Sequence, residues 1–126
     1  MEHERDPQAI VVDVLDGIKR GLDDQQPEAV AALFAEDALF QGSHPEPSFG
    51  SAAVAEYFAE PRAKGLRVDY TIRHICPLAE DVVSAFVNAT FTLPNGTALP
   101  RHLTVIILRQ DDGRWLIGHY HASAID

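Results

Sequence analysis

Near its C-terminus the chain contains, at residues 113–123, the stretch Gly-Arg-Trp-Leu-Ile-Gly-His-Tyr-His-Ala-Ser. The preceding Asp111-Asp112 and Gly113 are residues that favour a tight turn. The segment after them predicts a long strand, 114–125, and strand side chains alternate between two faces. His119 and His121, two residues apart, therefore share one face of that strand.

Three segments upstream show the same period of two. They predict strands at Val68–Cys76, Val82–Leu93 and Leu99–Gln110. Pro94-Asn95-Gly96-Thr97 predicts a hairpin, because Asn-Gly accepts the positive φ that a tight turn needs. The four strands are thus expected to form an antiparallel meander.

Helical patterns occupy the first half of the chain. Asp6-Pro7 predicts a helix start, and apolar residues at helical spacing extend that helix over residues 7–23. The later elements are a short helix from Pro27, a strand Asp37–Gln41, a loop Gly42–Gly50 and a helix from Ser51 to Pro61. About three N-terminal helices before a meander predict an α+β fold, with the helices on one face of a curved antiparallel sheet.

Composition limits the class of protein. The 126 residues, 46% of them hydrophobic, fit a single domain, 1–126. A net charge of -9 without a basic run disfavours nucleic acid and anionic membranes as partners. No apolar run reaches the roughly 18 residues that span a bilayer, and the charged N-terminus is not a secretory signal. A cytoplasmic protein is therefore expected.

Motifs for metals and cofactors are missing from the sequence. A single cysteine, Cys76, excludes an internal disulfide and a cysteine-based zinc site. A metal site at His119 and His121 would need further ligands. His102 lies on the neighbouring strand, but it is predicted on the opposite face from Arg101, so no metal site is expected. Neither a GxGxxG loop nor a P-loop occurs, and any chemistry is therefore expected to need no cofactor.

The register of the central hairpin decides which side chains share a face. A two-residue Asn95-Gly96 turn would pair strand residues as follows: Thr90 with Arg101, Asn88 with Leu103, Phe86 with Val105. One face would then be mixed, with Asn88 and Arg101 among apolar side chains. Ligand sites combine an apolar lining with a few polar groups, so we expect this mixed face to line a pocket.

The other face of that predicted hairpin is almost entirely apolar or small. It would carry Val87, Ala89, Thr104 and Ile106. An antiparallel sheet that meets water on one side should show a polar face there. Because helices can cover only one face, we expect this one to meet a second subunit in a homodimer.

The orientation of the last strand depends on the second turn. A three-residue loop with Gly113 in a bulge would turn Trp115, His119 and His121 toward the pocket. A two-residue turn would instead turn Leu116 and Tyr120 inward, because a slip of one residue exchanges the faces. Glycine at the third loop position favours the first alternative.

Three residues are candidates for catalysis. His121 and His119 could act as a general base or donate a hydrogen bond, since imidazole titrates near neutral pH. Alternatively, both are packed and hydrogen-bonded within the sheet. Arg101 could hold a ligand carboxylate or phosphate, or reach solvent and pair with an acid.

Further residues are candidates for ligand contact, each with a structural alternative. Asn88 could orient a ligand carbonyl or make a structural hydrogen bond, and Trp115 could close the pocket or pack in the core. Tyr70 could line the pocket or pack beneath the first helix. Three more residues complete the predicted lining and mouth: Phe86 and Val105 on the pocket face, and His44 on the Pro-rich loop.

The segment Leu33-Phe34-Ala35-Glu36-Asp37-Ala38, the helix opening at Gly50-Ser51 and the C-terminal His-Tyr-His resemble the nuclear transport factor 2-like superfamily. The similarity covers nearly the whole chain and falls in its SnoaL-like, SgcJ/EcaC-type branch. The C-terminal stretch is also similar to the association domain of calcium/calmodulin-dependent kinase II. This resemblance implies a cone-shaped sheet wrapped on the helices around a pocket.

The same helix–strand segment resembles ketosteroid isomerases, but the residues of their mechanism are missing. Aligned by eye, Gly42 stands at the position of their carboxylate base, Ile18 at that of their tyrosine and Val105 at that of their oxyanion acid. A steroid-type proton transfer with that constellation is therefore not expected.

The resemblance leaves two functions open, because this fold hosts many activities. One is a cofactor-independent isomerase, cyclase or hydrolase acting on a small apolar metabolite of polyketide type. The other is a non-catalytic ligand-binding or assembly domain. The histidine pair and Arg101 favour the first, and the lack of a carboxylate pair or catalytic triad favours the second.

Overall fold

The computed structural model describes residues 6–125. It contains three helices, a 3₁₀ turn and one six-stranded sheet. In chain order these are α1 Pro7–Asp23, α2 Pro27–Ala31, β1 Phe34–Gln41, β2 Ser48–Phe49, α3 Ser51–Ala59, the 3₁₀ turn Pro61–Ala63, β3 Arg67–Ala79, β4 Val82–Thr92, β5 Ala98–Arg109 and β6 Trp115–Ala124. The α+β prediction and the bounds of α1 are confirmed. Within the described range, no helix has the length and apolarity to cross a bilayer.

The sheet has the order β2-β1-β6-β5-β4-β3 and is curved and open. The predicted antiparallel meander is confirmed for β3 to β6, and β1 adds to it in parallel with β6. This makes the sheet mixed rather than purely antiparallel. The parallel pairing places the end of β1 next to the second half of β6, where Phe40 lies opposite Tyr120.

The hydrophobic core lies between α1, α3 and the concave face of the sheet. α1 contributes Ile10, Val14 and Ile18, each at most 4% exposed. The sheet contributes alternate residues of β4 and β5: Val83, Ala85, Val87, Ala89, Leu103, Val105, Ile107. Their burial at a period of two shows that this face packs on the helices, and no element among residues 6–125 covers the opposite, convex face.

The predicted register of the β4–β5 hairpin is wrong by one residue. Ala89, not Thr90, lies opposite Arg101. The reason is Pro94, whose fixed φ favours the first central position of a type I turn. The Leu93 N–H donates to Thr97 O at 2.9 Å and the Gly96 N–H to Leu93 O at 2.8 Å, with Gly96 at φ 91°. This is a three-residue loop with a bulge, not the two-residue turn.

The shift moves half of the predicted pocket face to the other side of the sheet. Phe86 and Asn88 lie on the convex face, where Phe86 is 38% exposed. Val87 and Ala89 lie beneath the helices, so the prediction that they belong to the subunit interface is also wrong.

The second hairpin has the predicted three-residue loop. Gly113 adopts φ 89°, and its N–H donates to Gln110 O at 2.9 Å. Trp115 and Ile117 consequently face the core, as this alternative predicts. A second irregularity follows, because Ile107 lies opposite Ile117 whereas Ile106 lies opposite His119.

Gly118 is the extra residue in this bulge, and it reverses the expected orientation of the strand beyond it. Tyr120 is buried on the concave side, and His119 and His121 share the convex face with Ile106 and Thr104. The prediction that the two histidines face the pocket is therefore wrong, since a bulge shifts the alternation by one residue.

We expect Gly118→Ala to lower the free energy of unfolding by about 1–3 kcal/mol through overpacking. A Cβ at this position would lie 2.5 Å from Leu108 Cδ1 and 3.1 Å from its Cγ. Urea unfolding measures the loss, and the same substitution in a Leu108→Ala background is the control. An equal cost in both backgrounds would show that Leu108 does not restrict this position.

Candidate functional site

A cavity of about 230 Å³ opens between α3, the 3₁₀ turn and the concave face near the β4–β5 hairpin. Most of its wall is aromatic or aliphatic, with two arginines. It is lined by Phe40, Gly42, Ser43, Tyr57, Phe58, Arg62, Ala63, Leu66, Phe91, Leu93, Leu99, Arg101, Tyr120 and Ala122. None of these described lining residues is an aspartate, glutamate or histidine.

An aromatic cluster forms one wall of the cavity. Phe40 and Tyr120 stack with ring centroids 4.8 Å apart, and Tyr57 and Phe58 meet Phe40 edge-on at 4.8 and 5.6 Å. Edge-to-face and offset contacts of this kind stabilise a fixed ring arrangement. The aromatic rings therefore form a preformed wall on this side of the cavity.

Gly42 lets Tyr57 approach the end of β1. A Cβ on Gly42 would lie 2.5 Å from Tyr57 Oη, so a larger residue would displace the ring. The neighbouring Ser43 N–H donates to the same hydroxyl at 2.8 Å. β1 and α3 are thus joined by the tyrosine at the cavity wall.

Arg101 brings a positive charge to the cavity from β5. Its Nη1 donates to Pro100 O at 2.8 Å, and no described carboxylate forms an ion pair with it. Arg20 and Arg73 likewise form no ion pair with a described carboxylate, but of these three arginines it is Arg101 that lines the cavity. Its guanidinium remains available to an anion.

The second arginine belongs to a group at the mouth of the cavity. We name His44, Glu60 and Arg62 the mouth cluster. His44 Nε2 lies 3.0 and 2.9 Å from the two oxygens of Glu60, and Arg62 Nη2 lies 3.0 Å from His44 Nδ1. Tyr57 contacts the imidazole edge-on at 5.2 Å, which connects the cluster to the cavity wall.

Two tyrosine hydroxyls lie deeper in the domain. Burial raises the pKa of Tyr120 well above its ordinary value, and the nearby Tyr57 adds to the effect. Burial also raises the pKa of Tyr70, with a contribution from Tyr120. Although Tyr120 is near, the buried Tyr70 hydroxyl has no hydrogen bond of good geometry to any described group. Both phenols remain neutral and able to donate a hydrogen bond.

Residues 11–126 match the SnoaL-like domain family. The chain belongs to this family. None of the curated proteins matches it.

Three solved structures show the same fold. A candidate calcium/calmodulin-dependent protein kinase II association domain from Xanthomonas campestris is 24% identical, with a TM-score of 0.82 over 99% of this chain and 98% of that one. An NTF-2 like protein of Shewanella oneidensis is 18% identical, with a TM-score of 0.79 over 94% and 99%. A ketosteroid isomerase-like protein of Erwinia carotovora atroseptica is 17% identical, with a TM-score of 0.74 over 94% and 95%.

These matches confirm the fold and the family resemblance of this SnoaL-like domain. Among the predicted site residues, Arg101 lines the cavity and His44 lies at its mouth. Trp115 is half-buried and packs against the core, which was the alternative to a position in the pocket. Val105 is fully buried in the core. Tyr70 reaches inward beneath α1, with its hydroxyl near Tyr120.

The remaining predicted residues lie on the convex face, away from the cavity. Phe86 stacks on His102 with centroids 5.4 Å apart, and the buried Asn88 Oδ1 has no described partner. His119 and His121 lie on the same face. Within residues 6–125, no three His, Cys, Asp or Glu side chains come together in a group that could hold a metal.

Sequence reasoning missed most of the actual lining. Tyr57 looks like a core residue because its spacing on α3 is helical, and Tyr120 takes the inward position only because of the Gly118 bulge. Glu60 and Arg62 flank a proline after α3 and carry no motif. A usable signal was Gly42, a glycine directly after the large side chains Leu39, Phe40 and Gln41 at the end of β1.

We expect Tyr70→Phe to leave the free energy of unfolding unchanged or to raise it by up to about 1 kcal/mol, because it removes a buried hydroxyl that lacks a partner. Urea unfolding at neutral pH measures this. The matched control is Tyr57→Phe, which removes the acceptor of the Ser43 N–H and should cost about 1 kcal/mol. A clear loss of stability in Tyr70→Phe would show that its hydroxyl is paired.

Proposed function

We propose that this SnoaL-like domain binds a small, largely apolar organic acid in the cavity, with the acid group on Arg101. The observation that carries the proposal is the Arg101 guanidinium, which has no ion pair with a described carboxylate, in a wall that is mostly apolar and aromatic. A guanidinium can bind a carboxylate through two parallel hydrogen bonds, and this interaction is stronger where water is excluded.

The size of the cavity limits the ligand. At about 30 Å³ for each water-sized group, 230 Å³ holds roughly eight of them, which suits a molecule with one ring and a short acidic chain. The aromatic wall favours a flat body. Polyketide-type metabolites and other aromatic acids belong to this class, and the chemistry proposed for the site is a cofactor-independent isomerisation.

The likeness to the ketosteroid isomerase-like protein supports a catalytic function only as an analogy of fold. The phenol of Tyr120, which lines the cavity, remains protonated and can donate a hydrogen bond to a ligand oxygen. Such a donor stabilises negative charge that develops on an oxygen during proton transfer. The cavity thus combines anion recognition with a neutral donor.

We expect Arg101→Gln to weaken binding of 3-phenylpropanoate by about 10- to 100-fold, the effect of losing one charged hydrogen-bonded pair. Isothermal titration calorimetry measures the affinity. Binding of the uncharged 3-phenyl-1-propanol should change little.

Arg73→Gln is the matched control, because Arg73 is an exposed arginine of β3 outside the cavity. Its affinity for 3-phenylpropanoate should equal that of the wild type. Equal binding of the acid by the wild type and Arg101→Gln would contradict the assignment of the anion site.

A second function, assembly, is favoured by the convex face of the sheet. β4, β5 and β6 contain no aspartate or glutamate, although the chain carries a net charge of -9. Two copies repel each other least where acidic groups are missing. Exposed Phe86 and the unpaired Asn88 Oδ1 lie on this face. We therefore propose a homodimer formed through the convex face, in which two equivalent patches meet.

We expect Ile106→Glu to convert such a dimer into a monomer, because a carboxylate would be buried without a partner at the interface. Light scattering should show a halved mass, with dimer affinity reduced by roughly 100-fold or more. The control Ala29→Glu adds the same charge on exposed α2 and should leave the dimer intact. A monomeric wild type, or an unchanged dimer in Ile106→Glu, would contradict the proposal.

A further inference from the structure

The mouth cluster contains a histidine held by a carboxylate. His44 Nε2 lies almost equally far, 3.0 and 2.9 Å, from both oxygens of Glu60. A carboxylate only accepts hydrogen bonds, so the Nε2 atom carries the proton and donates it to Glu60. In the neutral ring the lone pair is then on Nδ1.

Arg62 leaves that lone pair uncovered. Its Nη2 lies 3.0 Å from Nδ1 and 3.3 Å from Nε2. A donor in the ring plane at Nδ1 would lie about 5 Å from Nε2, on the far side of the ring. The two similar distances therefore place Nη2 over the face of the imidazole and not in the ring plane. No other described group is bonded to Nδ1.

The loop that carries His44 is fixed at the cavity mouth. Gln41 Nε2 donates to the His44 carbonyl at 2.6 Å, and Ser43 is bonded to Tyr57 at 2.8 Å. Ser43, Tyr57 and Arg62 all line the cavity and adjoin the imidazole. The His44 side chain is 38% exposed, so a ligand can reach it.

We propose that His44 is a catalytic base at the cavity mouth and that Glu60 is its positioning residue. The proposal rests on the proposed function, because Arg101 must hold the substrate. The substrate class is an aryl 2-oxo acid or a similar carbon acid, with a carboxylate, a ring and a C–H bond next to a ketone. Orientation of a histidine by a carboxylate is a common arrangement for such a base.

The proposed step is a keto–enol tautomerisation. His44 Nδ1 takes the proton from the carbon next to the ketone, and the C–H electron pair moves into the carbonyl to give an enolate. Glu60 stabilises the imidazolium that forms. The imidazolium then returns its proton to the enolate oxygen, so the enol is released without any other reactant.

The test uses phenylpyruvate as the carbon acid. Its C3 protons exchange with deuterium in D₂O, and proton NMR follows the loss of the signal. We expect the wild type to accelerate exchange above the buffer rate. His44→Gln should remove about 100-fold or more of that acceleration, the range of general base catalysis. The matched control is His74→Gln, which changes an exposed histidine of β3 and should keep the wild-type rate.

Glu60→Gln tests the positioning role through a readout that packing alone would not change. Long-range ¹H–¹⁵N correlation spectra report which nitrogen of His44 is protonated. We expect the Nε2–H form in the wild type. A shift toward Nδ1–H and a slower exchange are expected in the variant, because the amide of glutamine can donate to Nε2. An unchanged tautomer with an unchanged rate would show that Glu60 does not position the ring.

Binding of 3-phenylpropanoate, which has no ketone, separates the two proposals. Should the wild type bind it without accelerating phenylpyruvate exchange, or should His44→Gln exchange phenylpyruvate at the wild-type rate, the catalytic inference is overturned and the binding function stands. Should the wild type bind neither acid and accelerate nothing, both proposals are overturned. Acceleration that depends on His44 but not on Arg101 would support the base and contradict the anion site.

Discussion

The single extra residue in β6, Gly118, determines which side chains of this strand line the cavity. The Asp111–Gly113 loop sets the first half of β6, so that Trp115 and Ile117 face the core. The pairing of β1 with β6 sets the second half and places Tyr120 against Phe40. The pairing registers of the two halves differ by one residue, and the extra residue in the bulge makes up the difference. Without it, Tyr120 would leave the aromatic wall.

The cavity and the convex face are chemically different sides of the same strands. The cavity side is apolar and aromatic, and Arg101 provides a charge there without an acidic partner. The convex side carries histidines, threonine and asparagine but no acid on the central strands. The proposed ligand site and the proposed dimer interface therefore lie on opposite faces, and neither requires the residues of the other.

Much of the fold follows from local patterns, whereas the orientation of the site does not. Residues 7–23 form the predicted helix because helical spacing and Pro7 agree, and the strand segments show a clear period of two. Face assignment failed at Pro94, where the longer loop exchanges the faces of β4 relative to β5, and at Gly118, where the bulge exchanges the faces of the rest of β6. At Gly118 the pattern carries little information, since both alternatives place acceptable residues inward.

The candidate site was harder still, because it is built from contacts between elements distant in sequence. Arg101 and His44 could be singled out by residue type and by loop position. The Glu60–His44 pair joins residues sixteen positions apart through the path of α3, which no spacing rule describes. Tyr57 follows a helical core pattern and yet borders the cavity, because Gly42 leaves room for it.

The bulge also bears on which turns the β5–β6 hairpin can adopt. A two-residue turn with no bulge would place Tyr120 on the same side as the observed three-residue loop with one. If Asp111 paired with Arg114 around such a turn, the distal half of the strand would keep its register without the bulge. Only the proximal side chains would be exchanged, Trp115 for Leu116. A change of turn type at this hairpin can thus vary the core while conserving the cavity wall.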